Sequence, residues 1–174
     1  IVPDRLDATR AALRTAAADH DLILTSGGVS LGEEDHIKAA VEAEGRLDAW
    51  LVAMKPGKPV AFGRIGTDDG AAFIGLPGNP VSSFVTFLML VRPYILRCQG
   101  VRAVLPRAIP LEAAFDLPRP DRRREFLRAR LTADGRVEIH SHQGPGVFTS
   151  TAWADGLVDN PPGQTVRAGD RVAF

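Results

Sequence analysis

Along the first hundred positions the apolar residues alternate between helical and strand-like spacing. Residues 5–19 carry alanines and leucines at helical intervals, with Asp4 placed as the N-cap and Asp7 in the first turn, where the helix dipole favours a carboxylate. Leu22, Ile23 and Leu24 form a short unbroken apolar run of the kind found in a strand covered on both faces. Residues 34–44 fit a second helix, with Ile37, Ala40 and Val41 on one side and Gly45 as its stop. Strands are expected over 47–54 and 60–64, and Thr67-Asp68-Asp69-Gly70 is a turn leading into a strand over 71–74. Asn79-Pro80 is a strong helix start, with Asn as cap and Pro at the first helical position. That helix is expected to run to about residue 99, kinked at Pro93 and stopped by Gly100. Helices between short buried strands indicate an α/β unit with a mostly parallel sheet.

Beyond Gly100 the pattern changes to recurrent prolines and short strand-like runs over 126–131, 137–141, 156–158 and 171–174, with a hairpin turn at Thr132-Ala133-Asp134-Gly135. A small all-β module over 101–174 therefore follows an α/β domain over 1–100. Charge divides at the same place. The first hundred residues carry 10 basic and 12 acidic side chains, and the remainder 11 and 9, within a balanced total of 21 and 21. A net charge of zero argues against binding nucleic acid or a membrane surface through bulk charge. A single cysteine excludes an internal disulfide framework and Cys-rich zinc sites, and Cys98 is expected to fill core. No uninterrupted apolar run reaches the roughly 18 residues of a membrane span. These features describe a soluble, cytoplasmic protein.

Only Lys38, Lys55 and Lys58 are lysines among the 21 basic residues, and two of them share one loop. Gly and Pro supply 10 of the 26 residues between Lys55 and Pro80, concentrated in Lys55-Pro56-Gly57-Lys58-Pro59 and Leu76-Pro77-Gly78-Asn79-Pro80. Such loops are rigid, and both follow expected strands, at the end of an open α/β sheet where ligands bind. Two lysines, the helix N-terminus at Pro80 with Ser82 in its first turn, and the Gly27–Gly32 loop flanked by Ser26 and Ser30 make a site for phosphate or another oxyanion; the alternative is that each loop is only a tight turn. Glu33, Glu34 and Asp35 stabilise a helix start, and Asp35, with Asp4 weaker, is the candidate to hold Mg²⁺ beside a phosphate. His20, His36, His140 and His142 lack metal-ligand spacing, and no G-x-S-x-G elbow supports a hydrolase triad. Arg122-Arg123-Arg124 is either a solvated basic turn or the donor of an arginine to the anion site.

Three ordered motifs, Thr25-Ser26-Gly27-Gly28-Val29-Ser30-Leu31-Gly32-Glu33-Glu34-Asp35, Met54-Lys55-Pro56-Gly57-Lys58-Pro59 and Gly75-Leu76-Pro77-Gly78-Asn79-Pro80-Val81-Ser82, closely resemble the molybdopterin molybdotransferases, the MoeA family that includes the E domain of gephyrin. Glu125-Phe126-Leu127-Arg128 and Ala168-Gly169-Asp170-Arg171-Val172 resemble that family's C-terminal β-domain. The resemblance implies a truncated three-layer molybdopterin-binding domain and a small barrel-like β-domain, in a cytoplasmic transferase that is a homodimer when full-length. It implies insertion of molybdate into adenylylated molybdopterin, with release of AMP in a Mg²⁺-dependent step. Lys55, Lys58, Pro59 and Ser82 match positions lining the molybdate pocket, and Arg123 an arginine reaching it. Asp35 matches the catalytic acidic position near the metal, and Asp4 another acidic position in the cleft. Ser26, Gly27, Gly28, Ser30, Pro77, Gly78, Asn79 and Pro80 correspond to pterin- and nucleotide-binding walls.

The sequence departs from the family at three points. Relatives have an upstream strand, an acidic loop and two further N-terminal domains, so the 174 residues alone are expected to be inactive. Leu51 stands where relatives often carry a cation, and Pro145 where they usually carry a serine. Those two substitutions keep a non-catalytic scaffold open as an alternative; a molybdopterin adenylyltransferase is another, although such proteins lack the β-domain.

Overall fold

A computed structural model describes residues 1–29 and 36–174. The chain divides into two compact units, residues 1–52 with 57–79, and residues 53–56 with 80–174. The first unit contains helix α1 (Leu6–Asp19), strand β1 (Leu22–Ser26), helix α2 (His36–Glu44) and strands β2 (Gly45–Leu51), β4 (Pro59–Ile65) and β5 (Ala71–Leu76). Between β2 and β4 in the chain lies β3 (Met54–Lys55), which belongs to the second unit.

The first sheet has the order β1-β5-β4-β2. Its β1–β5 pair is parallel, with Leu22 opposite Ala72 and Ser26 opposite Leu76, but β5–β4 and β4–β2 are antiparallel. The expectation of a mostly parallel sheet is corrected to a mixed one. The cause is connection length: the Thr67–Gly70 turn, closed by Gly70 N–H donating to the Thr67 carbonyl at 2.8 Å, is too short for a parallel crossover. Strand β5 is buried at every position, and Leu13, Ile23, Val41, Ile65 and Phe73 form the core between it and the helices. The guanidinium groups of Arg10 and Arg14 both reach Glu44 Oε1, at 2.5 and 3.0 Å, and tie α1 to the end of α2. Helix α1 starts after Arg5, which has no side-chain cap, so Asp4 does not cap it.

The expected strand over 47–54 is two strands in two sheets. Val52 N–H donates to the Lys58 carbonyl in the first unit, while the Ala53 carbonyl accepts from Arg124 N–H in the second. The chain thus leaves one ladder for another over two residues, a non-local choice that a continuous apolar pattern does not reveal.

The second unit begins with a helical run of α3 (Pro80–Thr86), a π-helical segment (Phe87–Val91) and α4 (Arg92–Cys98). Proline at position 93 has no N–H to give in the helical ladder, and the turn before it relaxes to i→i−5 bonding, with Arg92 N–H reaching the Phe87 carbonyl. The run ends in a Schellman motif: Val101 N–H donates to Leu96 and Gly100 N–H to Arg97, both at 3.0 Å, with Gly100 at φ +84°. By length and composition this one helix is sufficient to cross a membrane, with a mean hydropathy of 1.4 and a third of its most apolar window buried. Cys98 is exposed on it rather than in the core.

The remaining strands are β6 (Pro110–Glu112), β7 (Arg124–Leu131), β8 (Val137–Ile139), β9 (Gly156–Asn160) and β10 (Arg171–Ala173), with helix α5 (Thr149–Trp153) before β9. They form a sheet of order β3-β7-β9-β10-β6, with β8 on β7. Among the described residues β3 and β6 remain at its two ends, so this is an open sheet and not a closed barrel. Ala113, Leu127, Ala129, Val137, Val158 and Val172 fill its core.

Candidate functional site

Ser26 and Leu76 end neighbouring parallel strands, so the loops after β1 and β5 leave the same edge of the first sheet. Gly27 N–H donates to the Leu76 carbonyl at 3.0 Å. Gly27 holds φ +85°, and a Cβ on Gly78 would lie 3.5 Å from Gly27 Cα, so the two loops approach backbone to backbone. Beside them opens a cleft of about 1040 Å³ lined in part by Asp4, Ser26, Gly27, Gly28, Ala12 and Ile23. Thr25 also lines this cleft, and its Oγ1 is buried without a hydrogen-bond partner. The first unit therefore brings together four of the expected wall positions. In the same unit Lys58 is exposed, with its carbonyl bonded to Val52, and Pro59 opens β4 opposite Leu51. Pro77 is buried at the end of β5, whereas Asn79 is exposed. Ser30 and Asp35 lie outside the described residues. Among the described residues no group of three or more His, Cys, Asp or Glu is placed to hold a metal.

The second unit gathers the cations. Strand β3 pairs in parallel with β7, Met54 beside Arg124 and Lys55 beside Glu125. Register partners in a parallel pair project on the same face, and Lys55 Nζ accordingly lies 3.0 Å from Glu125 Oε1. The ammonium also lies 3.2 Å from Asp121 Oδ2. Asp121 in turn accepts Arg123 Nε and Nη2, each at 3.0 Å, and the Arg123 backbone N–H at 3.0 Å in an Asx turn. Lys55 and Arg123, 68 residues apart, thus meet on one carboxylate. These hydrogen bonds from the Arg123 side chain and backbone hold Asp121 well below the usual carboxylate range. Burial draws the Lys55 ammonium down, but its bonds to Glu125 and Asp121 outweigh this and leave it raised.

Two other features bear on the expected anion site. The N–H of Val81, at the start of α3, donates to the Pro145 carbonyl at 3.2 Å, and Pro80 has none to offer, so the helix start is not the open set of donors that its sequence suggests. Ser82 is buried there at 4% exposure. Arg128, 1% exposed, donates through Nε to Ser150 Oγ at 3.1 Å and through Nη2 to the Gly144 carbonyl at 3.3 Å, and burial pushes its pKa down. With Gln143 bonded to both backbone groups of Arg128, this arginine anchors the 143–146 loop that carries Pro145.

The run Arg122-Arg123-Arg124 resolves into different roles: Arg122 is exposed, Arg123 joins Asp121, and Arg124 binds Asp159 across the ladder at 2.6 and 2.8 Å. Asp121 and Glu125 were missed as site residues. An Asp two positions before an Arg is a readable Asx-turn signal, but the Lys55–Glu125 pairing depends on strand register and has no local signature.

The Asp121 pairing has a pH signature. Its unfolded carboxyl titrates near the ordinary value of about 3.9, above its native value, so the unfolded chain takes up the proton first. The stability it contributes is present above about pH 4 and is lost as pH falls through the lower native value. Thermal melts of wild type and Asp121→Asn are therefore expected to differ most above about pH 4 and to converge in stronger acid. A constant difference across that range would contradict the assignment.

Residues 1–97 match the family described as a probable molybdopterin binding domain, and residues 110–174 match the MoeA C-terminal region, domain IV. The chain is 39% identical over 155 residues to the molybdopterin molybdenumtransferase of Haemophilus influenzae, covering 86% of this chain and 38% of that protein. It is 33% identical over 171 residues to the Drosophila melanogaster molybdenum cofactor synthesis protein cinnamon, covering 92% of this chain and 27% of the relative. A crystal structure of the molybdopterin biosynthesis MoeA protein of Pyrococcus horikoshii superposes with TM-score 0.79 at 27% identity, over 99% of this chain and 41% of that one. The chain thus spans about two fifths of the length of that bacterial relative and of that archaeal structure. Two matched regions in order, over a fold shared almost end to end, establish that the chain belongs to the MoeA family of molybdopterin molybdenumtransferases.

Proposed function

We propose that the intact protein inserts molybdate into adenylylated molybdopterin and releases AMP, in the biosynthesis of molybdenum cofactor. The observation that carries this reading is the meeting of Lys55 and Arg123 on Asp121, which collects two cations from distant segments at one point. A tetrahedral dianion needs such donors: a guanidinium fork offers two parallel N–H groups and an ammonium adds a compact charge. The Gly27–Gly78 approach and the cleft beside it supply a wall that a flat pterin or a nucleotide can lie against. Loss of AMP separates one phosphate from another, so the residues' part is to orient both groups and to offset charge as the phosphoanhydride breaks. Mg²⁺ belongs to the reading only through Asp35, which the resemblance assigns to it, and would supply further positive charge at the phosphates. A cytoplasmic location away from membranes and a homodimer complete the reading and rest on the same resemblance.

Expression of the intact gene in a host lacking its molybdotransferase tests the proposal. Wild type is expected to restore molybdoenzyme activity, and Arg123→Ala to reduce it about 10- to 100-fold, the effect of one lost charge-assisted contact. Full rescue by Arg123→Ala would remove the cation pair from the mechanism. A second reading, a scaffold that binds partners without turnover, is favoured by the charge balance of the cluster, in which Asp121 and Glu125 offset Lys55 and Arg123. Absence of rescue by a well-expressed wild type, with no measurable binding of molybdate, is the outcome that selects it.

A further inference from the structure

The oxyanion site as built carries no net charge. Lys55 and Arg123 face Asp121 and Glu125, and a dianion approaching this cluster meets two carboxylates as well as two cations. The two acids are not equivalent. Glu125 sits inside β7 with its side chain 4% exposed, opposite Lys55 in the β3–β7 register, so the sheet itself holds it in place. Its second oxygen, Oε2, is buried without a partner, which leaves it no alternative hydrogen bond to move towards. Asp121 stands in the turn before β7 with 21% of its side chain exposed. Its carbonyl accepts Gly163 N–H at 2.8 Å, so the backbone is held independently of the side chain, whose carboxylate exchanges its bonds to Arg123 and Lys55 when it turns away. Asp121 also occupies the ground an oxyanion needs: its two oxygens take Nε and Nη2 of Arg123 in parallel, and Oδ2 is shared with Lys55.

We infer that Asp121 is an internal counter-ion that holds the Arg123 fork and the Lys55 ammonium together in the empty site and is displaced by the incoming tetrahedral oxyanion, so that it sets the affinity for that anion. This inference rests on the oxyanion-site reading above and deepens it. With Asp121 turned away, Lys55 keeps Glu125, the fork is vacant, and the cluster gains one positive charge. The anion thus exchanges for a tethered carboxylate, and binding is weaker than the two cations alone would allow. In this scheme Asp121 is a positioning residue: it orders the donors before the anion arrives, at a cost in affinity.

The test is calorimetric titration of the intact protein with sodium molybdate at neutral pH, using wild type, Asp121→Asn and Arg123→Ala. Asparagine retains an Oδ1 acceptor for the Arg123 backbone N–H and removes the charge; Asp121→Ser, whose hydroxyl also accepts that N–H, is the second variant. Asp121→Asn, or Asp121→Ser should Asp121→Asn not fold, is expected to bind molybdate about tenfold more tightly than wild type, and Arg123→Ala to lose binding. A purely structural Asp121 would give the opposite sign, because its loss would disorder the fork. Equal or weaker binding by the Asp121 variants, with binding still lost in Arg123→Ala, overturns the counter-ion role and leaves the site intact. Equal binding by wild type and Arg123→Ala overturns the site reading itself, and no binding by any variant overturns both.

Discussion

Lys55→Ala in the intact protein is expected to abolish molybdenum cofactor formation and to lower the melting temperature together. The two effects share one origin. In the proposed function Lys55 gives the oxyanion an ammonium, and in the fold it compensates Glu125, whose side chain is 4% exposed. Removing the ammonium leaves a buried carboxylate unpaired, which typically costs several kcal/mol. Lys55 is itself 43% exposed, and solvent screening reduces the cost to about 2 kcal/mol. The double variant Lys55→Ala/Glu125→Gln separates the two contributions: it restores most of the stability but not cofactor formation. A stable double variant that still forms cofactor at the wild-type rate would show that Lys55 serves the fold alone.

Gly63→Ala should be among the most destabilising single-methyl additions in the first unit. Gly63 lies on β4 opposite Leu47, next to a register shift between Leu47 and Ala49. A Cβ built there would sit 2.2 Å from the Arg46 carbonyl oxygen and 3.3 Å from Leu47 Cα. Both are backbone atoms, so no side-chain rotation relieves the clash, and the β2–β4 ladder has to separate. A loss of about 3 kcal/mol, or about 6–12 °C, is expected by urea and thermal unfolding. Gly146→Ala is the control, since nothing lies within 4 Å of its added methyl and its φ is not positive; it should change stability by less than about 0.5 kcal/mol. Equal stability of the two variants would contradict the packing described for β2 and β4.

The elements that the sequence reveals are those set by local pattern. The Gly100 helix stop and the interruption near Pro93 follow from a positive φ and a missing N–H, whereas the apolar run of β1 forms its strand at the edge of the sheet, with Leu24 40% exposed rather than covered on both faces. The mixed sheet was within reach, because the Thr67–Gly70 turn already forces an antiparallel pair, yet alternating helices and strands suggested a parallel one. The change of sheet at Val52 and Ala53 was not legible, because both halves of the apolar run satisfy a strand and only distant partners decide between them. The candidate site divides similarly. Lys55, Arg123, Gly27 and Gly78 stand out as residue types in loops, and the fold gives Lys55 and Arg123 a common partner and brings Gly27 against Gly78. Arg128 is 1% exposed because Ser150 of α5 and the folded 143–146 loop, both distant in the chain, cover it. The charge balance at Asp121 and Glu125 depends on strand register, which composition cannot express.

The most direct test of the central claim is AMP release by the purified intact protein from adenylylated molybdopterin, followed with and without molybdate. Release that depends on molybdate and is lost in Lys55→Ala/Glu125→Gln is the predicted result. Release unaffected by molybdate, or retained in that double variant, would contradict an oxyanion site built on Lys55 and Arg123.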